Sequence, residues 1–165
     1  KVGRSLGIDS GDAVANLGAG SGPFVLPFAA HVGPKGKVYA VDIDRGFFPY
    51  IEGRVKQAGI SHVQTVLGEP TDPKLPAGDV DIAFFHDVLH HVENRSAYLK
   101  SLVKYLKPDG RIAVIDYNPA QSPHASEPTL QVSKEQARAL LAEVGFKPLY
   151  EIPLFPDKWF VIYRR

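Results

Sequence analysis

The sequence predicts an α/β fold with a doubly wound, mostly parallel sheet that ends in an antiparallel hairpin. Short apolar runs alternate with longer amphipathic stretches, a glycine-rich turn follows the first apolar run, and two further apolar runs end the chain. Such alternation is typical of parallel strands joined by crossover helices, and a short connection between two final strands makes a hairpin. The pattern implies seven strands, five in crossover style and two in the hairpin.

Each predicted strand is a short apolar run bounded by turn residues. In chain order the predicted strands are Ala13–Leu17, Lys37–Asp42, His62–Leu67, Val80–Phe85, Arg111–Asp116, Phe146–Leu154 and Trp159–Arg164. The last two are joined by Phe155–Lys158, which is short enough for an antiparallel connection.

The amphipathic stretches between these runs predict helices, at Pro23–His31, Phe47–Ala58, Arg95–Leu106 and Ser133–Val144. Pro23 suits a first helical turn, whereas Pro27 is expected to kink or delay the same helix. Gly59 is a natural helix end. Ser133 and Gln136 predict a capping box at the start of the last helix.

Three proline-containing segments predict irregular structure. Pro108–Gly110 is expected to end the third helix before the fifth strand. Gly68–Gly78 carries three prolines and is predicted to be a loop. Asn118–Thr129 also carries three prolines and shows little periodicity, so we expect a surface loop that could cover a site.

The composition indicates one globular domain covering residues 1–165, with 44% hydrophobic and 22% charged residues. The charge is balanced, with 19 Lys and Arg against 18 Asp and Glu, which argues against nucleic acid as a partner. The absence of cysteine excludes disulfides and zinc–thiolate sites. No apolar run reaches the roughly 18 residues typical of a membrane-spanning helix, so no integral membrane segment is expected.

The remaining expectations concern location and assembly. We expect a cytoplasmic protein, with removal of an N-terminal leader as an alternative because the sequence begins at Lys1 and contains no methionine. We expect a monomer or a weak homodimer.

The turn Asn16–Gly22 lies where the first strand passes into the first helix, and Asp42 closes the second strand. Glycines let the backbone approach a ligand closely, and helix N-terminal amides favour carboxylate or phosphate groups. A carboxylate after the second strand can accept hydrogen bonds from both ribose hydroxyls. The pair therefore predicts a ligand that contains a nucleoside.

Two classes of nucleoside-binding protein share this layout. The dinucleotide fingerprint requires glycine at its first, third and sixth positions, which are here Gly18, Gly20 and Pro23, so it fails at the sixth. The Gly-x-Gly-x-Gly turn of Gly18, Gly20 and Gly22 instead resembles the first motif of class I S-adenosylmethionine-dependent methyltransferases.

The resemblance continues through the second and third predicted strands. Val41–Asp44 resembles the second motif of that family, in which the first acidic residue, here Asp42, binds ribose. Phe47 falls where the family packs an apolar side chain against adenine. Gly68–Pro70 resembles the segment from which an acidic side chain, here Glu69, reaches the adenine amino group.

The resemblance also covers the second half of the chain. Asp81–Val92 resembles the motif around the fourth strand, and Leu106–Arg111 is similar to the turn before the fifth. The terminal hairpin fits the antiparallel seventh strand of that family. The resemblance implies a Rossmann-like fold and S-adenosylmethionine as cofactor. The cofactor-binding residues that it implies are Asn16, Gly18, Ala19, Gly20, Gly22, Asp42, Ile43, Phe47, Glu69, Pro70 and His86.

Two of these positions depart from the family pattern. Asn16 stands where the family usually has an acidic residue, so an amide replaces a carboxylate near the cofactor's amino-acid end. Pro70 has no backbone N–H to donate to adenine.

Methyl transfer requires alignment of donor and acceptor and, for some acceptors, removal of a proton. Residues with these tasks should follow the fourth and fifth strands, which makes His86, Asp87 and Tyr117 the predicted catalytic residues. Each has a structural alternative. The ring of His86 could fill space while its backbone contacts the cofactor, and Tyr117 could pack at the strand end. Asp87 could bind an amine substrate, or it could cap the following helix instead.

The histidines after the fourth strand also raise the question of a metal. His86, Asp87 and His90 are suitable ligand types at close spacing, but the cofactor pocket would compete for the same space, so no metal is predicted. His90 and His91 are expected to pack beneath the site. His124 is expected to be exposed in its loop, with a role in a lid as the alternative.

The function predicted from these features is methyl transfer from S-adenosylmethionine to a small-molecule acceptor, with a lipid as one option. One alternative is a cofactor-binding domain without catalysis, which would serve as a sensor or partner subunit. Another is an NAD-type oxidoreductase, against which Pro23 and the terminal hairpin argue. Methylation of nucleic acid is disfavoured because His86–Leu89 stands where an Asn-Pro-Pro-Tyr-like motif would be needed.

Overall fold

The computed structural model describes all 165 residues and contains one seven-stranded sheet with helices on both faces. The strands are β1 (Ala13–Leu17), β2 (Lys37–Asp42), β3 (Val63–Leu67), β4 (Val80–His86), β5 (Leu106–Tyr117), β6 (Lys147–Glu151) and β7 (Lys158–Arg164). The α-helices are α1 (Val2–Ser5), α2 (Val25–Val32), α3 (Phe48–Gln57), α4 (Arg95–Leu102) and α5 (Lys134–Glu143). No helix has the combination of length and apolar character needed to cross a membrane.

The strand order is β3-β2-β1-β4-β5-β7-β6. The first five strands run parallel, β7 is antiparallel to β5, and β6 is antiparallel to β7. The predicted fold class is therefore confirmed. β1 and β4 are parallel neighbours, and from β1 the strand order runs outwards in one direction through β2 and β3 and in the other through β4 and β5. Ligands of such sheets bind outside the carboxyl ends of the strands at this switch point.

Alternation along β1 shows how the sheet separates two apolar layers. Ala15 and Leu17 face the layer that contains α4 and α5, whereas Val14 faces the layer that contains α2 and α3. Both faces are covered, so the central strands are apolar at nearly every position, as expected for a parallel sheet.

The first crossover helix starts later than Pro23, where the sequence predicted it. The backbone continues in turns through Phe24, and α2 begins at Val25. Pro27 is thus in the first turn, where an amide would have no partner within the helix, and the first helical hydrogen bond is donated by Phe28 to the Phe24 carbonyl. The helix is delayed by its prolines, as one of the two predicted options had it.

The predicted boundary between the third helix and the fifth strand is wrong. The α-helix ends at Leu102, a 3-10 turn follows, and β5 begins at Leu106. The segment 107–110 does not interrupt β5 but bulges from it, because Leu106 pairs with Val80 and Arg111 with Ile82. Proline and glycine are compatible with a bulge because neither contributes a normal ladder residue.

Local signals were predicted more accurately than boundaries. The capping box forms in full, with the Ser133 hydroxyl accepting from the Gln136 amide and the Gln136 side chain accepting from the Ser133 amide. Gly59 follows the end of α3 with a φ of 70°. The connection between β6 and β7 spans 152–157 and is longer than predicted, and the short α1 was not predicted.

The capping box provides a test of the local structure of α5. Ser133→Ala should lower the free energy of unfolding by about 1 kcal/mol, because the Gln136 amide in the first turn of the helix loses its acceptor. Ser61→Ala, at an exposed turn residue, is the matched control and should leave that free energy unchanged. Urea unfolding of the two variants measures the difference, and equal stabilities would contradict the prediction.

Candidate active site

The Asp42 carboxylate joins the ends of β1 and β2. One oxygen accepts a hydrogen bond from the Gly20 amide at 2.8 Å, and the other accepts from the Asp44 amide at 3.0 Å. The Ala19 amide also donates to the Val41 carbonyl at 2.9 Å. A carboxylate oxygen has a second lone pair, so both oxygens can still accept from a ligand. The two halves of the predicted nucleoside site are thus held together by direct hydrogen bonds.

The first glycine of the turn is required by a close contact. Gly18 has a φ of 66°, and a Cβ added there would lie 2.6 Å and 2.7 Å from the two methyl carbons of Val88. Val88 follows β4, so a side chain at position 18 would push the segment after β4 away from the turn. Gly18 therefore lets the ends of β1 and β4 approach each other.

A cleft of about 370 Å³ opens at the carboxyl ends of β1, β2 and β3. Its size is in the range of small-molecule sites. Five of the predicted cofactor residues line it, namely Gly18, Asp42, Ile43, Glu69 and Pro70. The other wall of the cleft was not predicted from the sequence. It comes from the segment after β4 and from α4, and its residues are Val88, His91, Val92, Glu93 and Tyr98.

The remaining predicted cofactor residues do not line this cleft. They are Asn16, Ala19, Gly20, Gly22, Phe47 and His86. Asn16 is buried in β1, with 3% of its surface exposed. Phe47 ends the 3-10 turn that follows β2 and is 37% exposed, and Ile43 is 64% exposed. These two apolar side chains at the end of β2 are accessible to a ligand.

The predicted catalytic residues come together beyond the end of β4. Asp87 accepts a hydrogen bond from the Lys158 ammonium at 2.7 Å, and the same carboxylate oxygen lies 3.6 Å from Nδ1 of His86. The Lys158 ammonium lies over the ring of Tyr117, at 4.8 Å from its centroid. Asp87 and Tyr117 therefore contact one ammonium group, and His86 lies beside Asp87.

The expectation that Asp87 caps the following helix is wrong. The cap of α4 is Asn94, whose side chain accepts from the Ala97 amide, and the 3-10 turn after β4 has no side-chain cap. Asp87 instead has a left-handed φ of 57°, and its second carboxylate oxygen is buried without a hydrogen-bond partner. The ion pair with Lys158 determines where its side chain points.

Lys158 is a member of this cluster that the sequence analysis missed. The sequence predicts it in the hairpin connection, but it is the first residue of β7 and pairs with Tyr117 of the neighbouring strand β5. A signal was present, since an antiparallel β5–β7 pair brings the start of β7 to the carboxyl end of β5. The sequence does not specify the β5–β7 register that places Lys158 opposite Tyr117.

The His86 imidazole is partly enclosed by aromatic rings. Its centroid lies 4.7 Å from that of Phe24 and 6.3 Å from that of Phe155. Burial lowers the pKa of His86 below 6.5, although the nearby Asp87 carboxylate acts in the opposite direction. The lowered pKa favours the neutral ring, which can accept a proton.

A second cluster consists of His90, His91 and His124. His90 is buried, and its Nδ1 lies 2.7 Å from the Asp116 carboxylate. His124 was expected to be exposed, but it is partly buried, with 27% of its side chain exposed. Its ring centroid lies 5.7 Å from that of His90 and 5.4 Å from that of His91. The trio His86, Asp87 and His90, considered as metal ligands, is not brought together.

The fold and the cleft define the class of this protein. A doubly wound sheet, a glycine turn held to an acidic residue at the end of β2, and a cleft at the strand ends are the features of a nucleoside-binding α/β protein. Residues 15–114, more than half of the chain, match the methyltransferase-domain family. The chain belongs to this family of S-adenosylmethionine-dependent methyltransferases, as the sequence predicted, and the match speaks against an NAD-type oxidoreductase.

Comparisons with individual proteins agree with this membership. The chain is 24% identical over 147 residues to a demethylmenaquinone methyltransferase of Anoxybacillus flavithermus, covering 89% of the chain and 53% of that relative. It is 27% identical over 118 residues to the ubiquinone/menaquinone biosynthesis C-methyltransferase UbiE of Ectopseudomonas mendocina, covering 71% of the chain and 46% of that relative. The chain thus spans about half the length of these relatives.

Solved structures share the fold. A SAM dependent methyltransferase from Aquifex aeolicus superposes with a TM-score of 0.88 at 24% identity, covering 98% of this chain and 86% of that one. Geranyl diphosphate C-methyltransferase from Streptomyces coelicolor, solved with S-adenosyl-L-homocysteine, gives 0.80 at 15% identity, with 97% and 76% covered.

The lowered pKa of His86 predicts a pH dependence of stability. The unfolded chain binds a proton at this imidazole more readily than the folded one, so folding is favoured above about pH 6.5 and this contribution is lost as the pH falls through the folded-state pKa. The free energy of unfolding should therefore decrease between about pH 7.5 and pH 5.5, and less so in His86→Gln. Urea unfolding at both values measures this, with His31→Gln, at an exposed residue of α2, as control. An identical decrease in His86→Gln and the wild type would contradict it.

Proposed function

We propose that this chain, as one domain over residues 1–165, transfers a methyl group from S-adenosylmethionine to a small organic acceptor. The observation that carries the proposal is the Asp42 carboxylate, fixed by the Gly20 and Asp44 amides at the edge of a cleft of about 370 Å³. Family membership supports the same reaction. Because the chain spans only part of its relatives, the activity is proposed for the chain itself and not transferred from them.

The residues around the cleft fit the parts of the cofactor. Asp42 would accept from the ribose hydroxyls, and the exposed Ile43 and Phe47 would be covered by adenine. Glu69, also on the cleft wall, would accept from the adenine amino group. The glycine turn leaves room for the amino-acid portion, since nothing lies within 4 Å of a Cβ placed at Gly20. When bound, the cofactor supplies an electrophilic methyl group on a sulfonium sulfur.

The chain's own contribution to the reaction would come from the cluster beyond β4. The lowered pKa of His86 favours its neutral form, which can take a proton from the acceptor as the methyl group is transferred. Lys158 can stabilise negative charge that develops on an acceptor oxygen, and Asp87 holds the ammonium in place at 2.7 Å. Tyr117 and Phe155 flank the ammonium and supply apolar contact for a ring.

These groups favour an acceptor with an acidic hydroxyl on an apolar ring. Deprotonation of such a hydroxyl makes the oxygen or the adjacent ring carbon nucleophilic, which a methyl donor requires. Two relatives carry quinone-pathway names, demethylmenaquinone methyltransferase and ubiquinone/menaquinone biosynthesis C-methyltransferase. We therefore propose quinol-like or phenolic small molecules, including lipid-linked ones, as the acceptor class. Location in the cytoplasm and a monomer or weak homodimer stay predictions, as does the exclusion of nucleic acid.

The first prediction concerns the cofactor. The chain should bind S-adenosylmethionine and S-adenosylhomocysteine in the micromolar range, about −8 kcal/mol, and should not bind NAD. Asp42→Ala should weaken both adenosyl ligands at least about tenfold, because hydrogen bonds to a charged group contribute about 1.5–3 kcal/mol. Isothermal titration calorimetry measures these affinities.

The control for this titration is Asp109→Ala, at an exposed aspartate of the β5 bulge, which should bind like the wild type. Asp42→Asn keeps the side-chain size and one acceptor, and should lie between the wild type and Asp42→Ala. Binding of NAD but not of the adenosyl ligands would overturn the proposal. So would equal affinities in Asp42→Ala and Asp109→Ala.

The second prediction concerns turnover. With a panel of quinols, phenols and aliphatic alcohols, methyl transfer should occur to a ring hydroxyl or ring carbon. His86→Gln should lower kcat by roughly 100-fold or more, the usual contribution of a general base. The affinity for S-adenosylmethionine should stay the same in that variant, because His86 does not line the cofactor cleft.

His31→Gln serves as the matched control and should retain the wild-type kcat. Binding of the cofactor without turnover of any acceptor in the panel would favour the alternative of a non-catalytic cofactor-binding domain. An unchanged kcat in His86→Gln would exclude His86 as the base but leave methyl transfer in place.

A further inference from the structure

We propose that His90, His91 and His124 form a binding site for one divalent transition-metal ion of the Zn²⁺ class. One candidate ligand atom from each side chain lies within 4.8 Å of the others. The site is separate from the His86–Asp87–Lys158 cluster. The proposal does not depend on the identity of the methyl acceptor.

The three histidines come from two segments that the fold holds together. His90 and His91 belong to the 3-10 turn Leu89–His91, whereas His124 belongs to the loop 118–130. The Arg95 guanidinium donates to the Leu89 and His90 carbonyls at 3.0 Å and 2.9 Å, and also to the Thr129 carbonyl at 3.1 Å. One side chain therefore joins the turn to the loop.

Two of the rings are oriented by carboxylates. Nδ1 of His90 lies 2.7 Å from the Asp116 carboxylate, and Nδ1 of His124 lies 3.3 Å from that of Glu127. An ionised carboxylate only accepts, so the proton of each neutral ring is on Nδ1 and the lone pair is on Nε2. Metal-binding histidines characteristically donate their other nitrogen to a carboxylate in this way.

The third ring has no such partner. The His91 ring makes no hydrogen bond within the protein, although its backbone amide donates to the Val88 carbonyl at 2.8 Å. The ring centroid lies 4.2 Å from that of His90 and 5.4 Å from that of His124. The hydrogen bonds of the cluster engage only Nδ1 of His90 and of His124. One ring nitrogen of each imidazole lies within 4.8 Å of the other two, and no protein donor occupies Nε2 of His90 or of His124.

The charges around the cluster are compatible with a cation. Asp116 and Glu127 contribute two carboxylates behind the rings, against the single guanidinium of Arg95. Neutral imidazoles as donors favour Zn²⁺, Co²⁺, Ni²⁺ or Cu²⁺ over Mg²⁺ and Ca²⁺, which prefer oxygen. Three protein ligands would leave a fourth position for water, as in tetrahedral zinc sites of the open type.

The spacing requires a small contraction. Zinc–nitrogen bonds of about 2.0–2.1 Å in a tetrahedron place ligand nitrogens about 3.4 Å apart. The ligand nitrogens are up to 4.8 Å apart, and this distance shortens to the required value if the partly exposed His124 moves towards the buried His90. His124 lies in an irregular loop and can move without disturbing the sheet. Because His91 also lines the cofactor cleft, the ion would fasten this loop to the cleft wall.

Metal binding is tested on the untagged, chelator-treated full chain with Zn²⁺, by calorimetry, and with Co²⁺, by visible absorption. We expect one ion per chain and the intense visible bands of tetrahedral Co²⁺. His124→Ala should weaken Zn²⁺ binding at least about 100-fold and abolish those bands. Glu127→Gln should weaken it about tenfold, as loss of a carboxylate behind a ligand does.

The controls are His31→Ala and Glu135→Gln, which remove an exposed histidine and an exposed glutamate elsewhere and should bind like the wild type. His124 is on an irregular loop, so its variant should fold, and circular dichroism confirms this. Equal affinities in His124→Ala and His31→Ala would overturn the proposal. So would binding of less than one ion per chain, or tighter binding of Mg²⁺ than of Zn²⁺.

Discussion

The hydrogen bond from the Gly20 amide to the Asp42 carboxylate is the constraint on which the candidate site depends. It fixes the glycine turn to the end of β2 at 2.8 Å and so sets the distance between two groups that would bind opposite ends of one ligand. The same carboxylate orders the chain beyond β2 through the Asp44 amide. A site held in this way needs little rearrangement on binding, which reduces the entropic cost of association.

The segment after β4 connects the cleft to the cluster of His86, Asp87 and Lys158. Val88 packs against Gly18 on one side, and its neighbour Asp87 reaches Lys158 on the other. His91, three residues on, lines the cleft and also belongs to the histidine cluster. A few consecutive residues therefore take part in the cofactor cleft, the proposed acceptor site and the proposed metal site, and a shift of this segment would alter all three.

Most of the fold follows from local sequence, whereas much of the site does not. The strands, the capping box at Ser133 and the glycine turn were predictable because each depends on neighbouring residues and backbone rules. The ion pair of Asp87 was not predictable, because Lys158 lies 71 residues away in the chain and only the sheet register brings the two side chains together. The partial burial of His124 likewise depends on a distant residue, because Arg95 of α4 holds the loop through a hydrogen bond to the Thr129 carbonyl. The continuation of β5 through Pro108 and Gly110 was not predicted for a related reason, because a bulge is defined by its partner strand.

Asp87 has a conformation and an environment that folding alone would not select. A left-handed backbone is adopted more readily by glycine, and a buried carboxylate oxygen without a partner lowers stability further. Sequence drift under selection for thermostability alone should therefore lead away from aspartate here, whereas selection for activity should retain it. In the proposed mechanism stability and activity therefore oppose each other at this position, and attempts to make the protein more robust should leave it untouched.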